Sequence, residues 1–213
     1  MPRPRIKICG ITNKDDALLA AQLGASALGF IFYKKSPRYV SPFKVGKMIE
    51  ELPPFVVPVG VFVNQNEGAV KDIVNFCGIS TIQFHGDETP QYCRRFSKYK
   101  VIKAFRLKED FDWKILTEYK TVSAYLFDTY QEADYGGTGR TFNWDFLKGK
   151  TWDKPFILAG GLNPENVSTA IPTVNPYAID VSSGVEKSPG QKDPRLLKNF
   201  FEKIYSVNTK GDH

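Results

Sequence analysis

Two segments pair residue types that can move protons. In Ile6-Lys7-Ile8-Cys9 an apolar run carries one lysine and ends on a thiol, and Gly10 breaks it at once. Side chains alternate along a strand, so Lys7 and Cys9 share one face while Ile6 and Ile8 share the other. A thiol beside an ammonium group, at a strand end before a flexible turn, is placed to act as a thiolate. The same thiol is equally suited to pack as a small hydrophobe, which is how most free cysteines are found. The second segment is Ala124-Tyr125-Leu126-Phe127-Asp128. A carboxylate closing an apolar strand serves as a general acid or base, or caps the next turn. Partial burial would raise its pKa and leave it able to donate a proton.

Other residues suit binding rather than proton transfer. Arg38, in Ser36-Pro37-Arg38-Tyr39, has a planar fork that can hold a carboxylate through two hydrogen bonds, or can lie free on the surface. His85, in Gln83-Phe84-His85-Gly86, is structural or functional on its own evidence, and no carboxylate–histidine spacing suggests a metal site. Ala159-Gly160-Gly161-Leu162 and Asp180-Val181-Ser182-Ser183-Gly184-Val185-Glu186 bring glycine to two late strand ends. Without a Cβ, backbone N–H groups there can approach a ligand closely. Tyr135-Gly136-Gly137-Thr138-Gly139-Arg140 lacks the Gly-Lys-Ser/Thr ending of a P-loop and reads better as a mobile flap.

These groups need a frame, and the chain supplies a regular one. Apolar, β-branched runs recur at 5–9, 27–32, 57–63, 80–84, 100–105, 123–128, 155–159 and 177–181, about 25 residues apart. Helix signals follow most of them. Thr12-Asn13-Lys14-Asp15-Asp16 caps an amphipathic stretch that stops at Gly24, and Ser41-Pro42 opens another that carries Val45, Met48, Ile49 and Leu52. Further helices are predicted at 66–77, 89–97, 109–119, 163–171 and 193–205, with a short one near 143–148. Strands alternating with helices imply right-handed βαβ units and a parallel sheet. Eight units with little excess length predict a single (β/α)8 TIM barrel over residues 1–213, with an open doubly wound sheet as the alternative. The polar tail from about 207 to 213 is expected to fray.

Barrels carry their chemistry at the C-terminal ends of their strands, where all of these groups fall. Phosphate commonly binds after strands seven and eight, beside the N-terminus of a short extra helix, for which residues 184–190 have room. The composition, 42% hydrophobic and 24% charged, is that of an ordinary soluble domain. Cys9, Cys77 and Cys93 are odd in number and widely spaced, with no C-x-x-C pair, which argues against a disulfide framework and a zinc site and fits a reducing cytoplasm. No apolar run approaches the length needed to span a bilayer or to form a signal peptide. The net charge of +6 is scattered rather than striped, which argues against nucleic acid and suits a small anionic ligand.

Taken together, Lys7-Ile8-Cys9-Gly10-Ile11-Thr12, Gly29-Phe30-Ile31-Phe32, Ser36-Pro37-Arg38-Tyr39-Val40 and Gln83-Phe84-His85-Gly86 resemble the phosphoribosylanthranilate isomerases of tryptophan biosynthesis. Phe127-Asp128, Gly136-Gly137-Thr138-Gly139 with Phe142 and Trp144, Leu158-Ala159-Gly160-Gly161-Leu162 and Asp180 to Glu186 extend the resemblance over nearly the whole chain. Phe84 stands where the family more often has leucine, an outward-facing change.

The resemblance implies an Amadori rearrangement of an aminoaldose to an aminoketose, without cofactor or metal. It implies Asp128 as the general acid that protonates the ring oxygen and Cys9 as the general base at C2. Lys7, on the face of Cys9, is expected to help stabilise the thiolate. Arg38 would hold the anthranilate carboxylate, and the loops at Gly160-Gly161 and Ser183-Gly184 the phosphate. His85, Gly137, Gly139, Asp180 and Ser182 complete the expected binding set. The expected partner is a small phosphorylated molecule, with neither nucleic acid nor membrane, in a cytoplasmic monomer or homodimer. Two competing readings remain open at this point. One is another phosphate-binding barrel using Lys7 or Lys103 as acid or Schiff-base amine. The other is a non-catalytic sensor of a phosphorylated metabolite.

Overall fold

The computed structural model describes residues 3–108, 110–128 and 144–207. Eight parallel strands close into a barrel in chain order: β1 (Arg5–Cys9), β2 (Ala27–Ile31), β3 (Val57–Phe62), β4 (Thr81–Phe84), β5 (Lys100–Arg106), β6 (Ala124–Asp128), β7 (Phe156–Ala159) and β8 (Ala178–Val181). β8 pairs with β1 and closes the ring, with Lys7 opposite Asp180. The open-sheet alternative is thereby excluded.

Alternation along each strand separates two apolar layers. Inside the ring lie mostly small or branched side chains, among them Val59, Ala104, Ala124, Leu126, Ala159 and Ala178. The opposite faces, including Ile6, Ile8, Phe84, Phe105 and Phe127, pack outward against the helices. Phe84 does face outward, against Tyr92 and Phe96.

Local signals account for most of the helices. Asn13 caps α1 (Lys14–Gln22), Ser41 caps α2 (Pro42–Ile49) and Asn66 caps α3 (Glu67–Cys77), each side chain accepting from a first-turn N–H. α4 (Pro90–Arg94) is only one turn and stops short of the predicted 89–97. The last helix, α6 (Pro194–Ser206), buries Leu197, Phe200, Phe201 and Ile204, one apolar stripe at helical spacing.

Two helix expectations need correction. Residues 109–119 contain a 3-10 turn at Trp113–Glu118 in place of an α-helix. Trp113 there packs edge-on to Phe111 and Phe127 and against Trp152, and these bulky rings cover the barrel wall where a helix would have lain. The predicted helix at 163–171 is displaced to α5 (Val167–Val174). Asn163 accepts from the N–H groups of Glu165 and Asn166, while Asn166 accepts from that of Asn163, so this stretch is a side-chain-bonded turn. Among the described residues no helix is long and apolar enough to cross a membrane.

Candidate active site

Cys9 is the last residue of β1 and points into the barrel mouth, 7% exposed, with Lys7 one layer below. Lys7 does not stand free beside the thiol, because its Nζ donates to Asp180 Oδ2 at 2.8 Å in a fully interior ion pair. Burial acts to lower the Lys7 pKa, but Asp180 and Cys9 outweigh it and the ammonium form is favoured. For Cys9 the balance is reversed. Burial pushes the thiol up, Asp180 adds to that, and the opposing pull of Lys7 and Lys192 is smaller. Lys7 thus pulls toward the thiolate, but the net shift is upward. Gly29 on β2 faces this pair: a Cβ there would stand 2.7 Å from Cys9 Sγ and 3.1 Å from Lys7 Nζ. Only glycine leaves both side chains where they are.

Asp128 is the last residue of β6, its side chain 19% exposed at the same end of the barrel. His85, just after β4, lies 3.0 Å from Asp128 Oδ2 through Nε2 and 2.9 Å from Gln83 Nε2 through Nδ1. With the Gln83 amide donating to Nδ1, His85 carries its proton on Nε2 and donates to Asp128 Oδ2. Gln83 is fully buried inside β4, and its placement fixes the histidine ring. The mouth is therefore crossed by a three-residue polar line that the histidine alone did not announce.

After β8 the chain departs from expectation. Residues 184–190 form no helix suited to phosphate: a 3-10 turn at Ser183–Val185 leads into β9 (Glu186–Ser188), paired antiparallel with β10 (Gln191–Lys192). Gly184 sits where a Cβ would run into the Leu162 carbonyl, so the loops after β7 and β8 touch directly. Gly160 and Gly161 both take positive φ, at 87° and 64°. Ser183 and Gly161 are exposed, giving these loops an open upper surface.

The hairpin also places Glu186 and Lys192. Arg38 Nε lies 3.0 Å from both Glu186 oxygens and its Nη2 2.7 Å from Oε2. Its fork is thus engaged along one edge by an internal carboxylate. The end edge, formed by Nη1 and the second Nη2 hydrogen, still presents two parallel donors for another carboxylate. Gly10 makes room for this arginine, since a Cβ there would meet Arg38 Cδ at 2.7 Å.

Several buried polar atoms at this mouth make no hydrogen bond within the described residues: Gln83 Oε1, Asp180 Oδ1 and Ser182 Oγ. Such atoms are costly in a finished interior and are more at home lining a site that receives a polar ligand. Gln83, Glu186 and Lys192 were not singled out as site residues from sequence. Gln83 could have been found from its inward phase with His85, two residues on. Lys103, by contrast, faces away from the mouth. It is buried against Glu88 at 3.3 Å and the carbonyls of Gly86 and Ala104, which removes it as a Schiff-base amine. Gly137 and Gly139, with the rest of the flap, lie outside the described residues. Cys77 and Cys93 are core residues.

A closed (β/α)8 barrel with thiol and carboxylate at its C-terminal mouth, flanked by glycine loops, defines a barrel equipped for proton transfer. A family model described as N-(5′-phosphoribosyl)anthranilate (PRA) isomerase matches residues 6–203, and the chain belongs to that family. The N-(5′-phosphoribosyl)anthranilate isomerase of Citrifermentans bemidjiense is 48% identical over 203 residues, covering 95% of this chain and 98% of its own. The crystal structure of phosphoribosyl anthranilate isomerase from Thermotoga maritima superposes with a TM-score of 0.87 at 43% identity, covering 95% of this chain and 98% of that one. A crystal structure of a phosphoribosyl anthranilate isomerase in complex with reduced 1-(o-carboxyphenylamino)-1-deoxyribulose 5-phosphate gives a TM-score of 0.84 at 39% identity, covering 95% and 98%.

Proposed function

We propose that the chain converts N-(5-phosphoribosyl)anthranilate to 1-(2-carboxyphenylamino)-1-deoxyribulose 5-phosphate in tryptophan biosynthesis. The observation that carries the assignment of roles is the placement of Cys9 and Asp128. Each is the last residue of its strand, and β1 and β6 are separated in the ring by β7 and β8. A substrate held between them can meet an acid on one side and a base on the other.

Asp128 protonates the furanose ring oxygen, the ring C–O bond breaks, and the anthranilate nitrogen forms a Schiff base with C1. Cys9 then removes the proton from C2, and the electron pair moves to neutralise the iminium nitrogen. The resulting enolamine tautomerises to the ketone, so that C2 is oxidised as C1 is reduced. His85, hydrogen-bonded to Asp128, orients the acid, and Gln83 orients His85. The free end edge of Arg38 receives the anthranilate carboxylate. The loops at Gly160-Gly161 and Ser182-Ser183-Gly184 receive the phosphate, and Gly137 and Gly139, outside the described residues, belong to the same substrate-binding set. Lys7 and Asp180 form the charged floor beneath Cys9, where Lys7 favours the thiolate. The relative whose complex holds the reduced product supports a ligand of this size and charge for the fold.

The partner is this small phosphorylated substrate rather than nucleic acid or membrane, and the setting is the cytoplasm, with no cofactor or metal called on. The assembly is a monomer or homodimer, which sedimentation velocity distinguishes. The direct test follows consumption of phosphoribosylanthranilate by wild type, Cys9→Ala and Asp128→Asn. Each substitution is expected to lower kcat by about 10² to 10⁴-fold, the usual contribution of a positioned acid or base. Near-normal turnover by Cys9→Ala removes the base assignment.

A further inference from the structure

Lys192 takes no part in the steps above, yet its side chain is wholly buried at the active end of the barrel. Its Nζ donates to the Cys9 carbonyl at 2.6 Å, to the Ser182 carbonyl at 3.1 Å and to Glu186 Oε1 at 2.8 Å. Three acceptors require three protons, so only the ammonium form satisfies the cluster; a neutral amine has two. The three contacts belong to different parts of the site. Cys9 carries the thiol, Ser182 opens the loop assigned to phosphate, and Glu186 holds the Arg38 guanidinium through two of its nitrogens.

We propose that Lys192 is a positioning residue, which fixes Cys9 and, through Glu186, Arg38 relative to the loop after β8. This rests on the isomerase reading, in which Cys9 is the base and Arg38 the carboxylate clamp. The backbone of Lys192 is itself anchored, since its N–H donates to Asp16 Oδ2 at 2.8 Å, and β10 cannot easily drift from the first turn of α1. Removing the ammonium takes the lysine donor from the Cys9 carbonyl, leaves the Ser182 carbonyl with only a long contact from the Val185 N–H at 3.4 Å, and leaves Glu186 held by Arg38 and a long Gly190 N–H contact of 3.3 Å. Arg38 would then be free to rotate with its partner, and the end of β1 to relax.

The charged groups facing Cys9 are Lys7 from its own strand, Asp180 from β8 and Lys192 from β10, while β2 contributes only Gly29. Loss of Lys192 therefore also removes one of two positive charges near the thiol. The test compares the full-length wild type with Lys192→Met and Glu186→Gln. It uses initial rates on phosphoribosylanthranilate and site-resolved alkylation of Cys9 by iodoacetamide across pH. For Lys192→Met, kcat is expected to fall about 10 to 100-fold, as for a small misplacement of reacting groups, with a rise in KM. The alkylation midpoint of Cys9 is expected to move to higher pH. Glu186→Gln keeps the ammonium and should raise KM by a larger factor than it lowers kcat.

A Lys192→Met protein with lowered Tm but wild-type kcat, KM and Cys9 alkylation overturns the proposal. Should that variant not fold, an unchanged KM in Glu186→Gln overturns the link to Arg38. A wild type that never turns this substrate over defeats the functional reading instead. The alkylation shift needs no turnover and still decides the role of Lys192.

Discussion

Inside the barrel Cys9 meets two ammonium groups and one carboxylate, and burial still leaves its thiol above the ordinary range. The midpoint of Cys9 alkylation should therefore lie above about pH 8.5, that of an unperturbed thiol. Lys7→Met should push that midpoint further up, and it should also strand Asp180 in the interior without its cation. Breaking a buried pair from one side costs about 3–5 kcal/mol, so a large fall in Tm should accompany the shift. A Lys7→Met variant with an unchanged Cys9 profile takes Lys7 out of the electrostatics. The contents of this layer were legible because a strand has period two: Lys7, Cys9, Asp128, Asp180 and Ser182 all fall in the inward phase. Lys192 was not. It stands on a two-residue strand in a polar, charged loop, where a lysine looks like surface. Its burial exists only once β9 and β10 fold back over the end of β1.

The loops between elements are held by their own buried polar groups. Glu88 accepts from the N–H groups of Asn64 at 2.8 Å and Gly86 at 2.9 Å, and it pairs with Lys103. One carboxylate thus ties the loop after β3 to the turn that carries His85. Glu88→Ala should leave Lys103 buried without its counter-ion and destabilise the fold by about 3–5 kcal/mol, read by chemical denaturation. It should also raise the exchange rate of the Asn64 and Gly86 amides, which a loss confined to α4 would not do. Strand positions and the capped helices α1 to α3 could be read locally, since alternation and caps act over a few residues. The aromatic turn at Trp113–Glu118 could not, because what replaces a helix there is contact with Phe127 and Trp152 from later strands and loops.

Across the whole molecule, the rhythm of eight units was enough to infer closure, but the ionic ties across the closure were not visible. Burial tends to raise the Glu186 carboxyl, yet hydrogen bonds from Arg38 and Lys192 outweigh it, and its pKa ends below the usual carboxylate value. A carboxyl lowered on folding contributes stability that is complete above its unfolded pKa, about 4.3, and is lost as pH falls through the folded value. Unfolding free energy should thus drop as pH descends below about 4, and the drop should be shallower in Glu186→Gln. Equal slopes in the two proteins remove Glu186 from the acid response.

The tie from Lys192 to Cys9 spans 183 positions of sequence, and that from Asp180 to Lys7 spans 173. During synthesis the first strand leaves the ribosome long before either partner exists. The growing chain cannot assemble a competent thiol site until its last strand, hairpin and helix have emerged. A nascent chain that has not yet reached Lys192 is therefore expected to lack at least one of the two ties at the thiol.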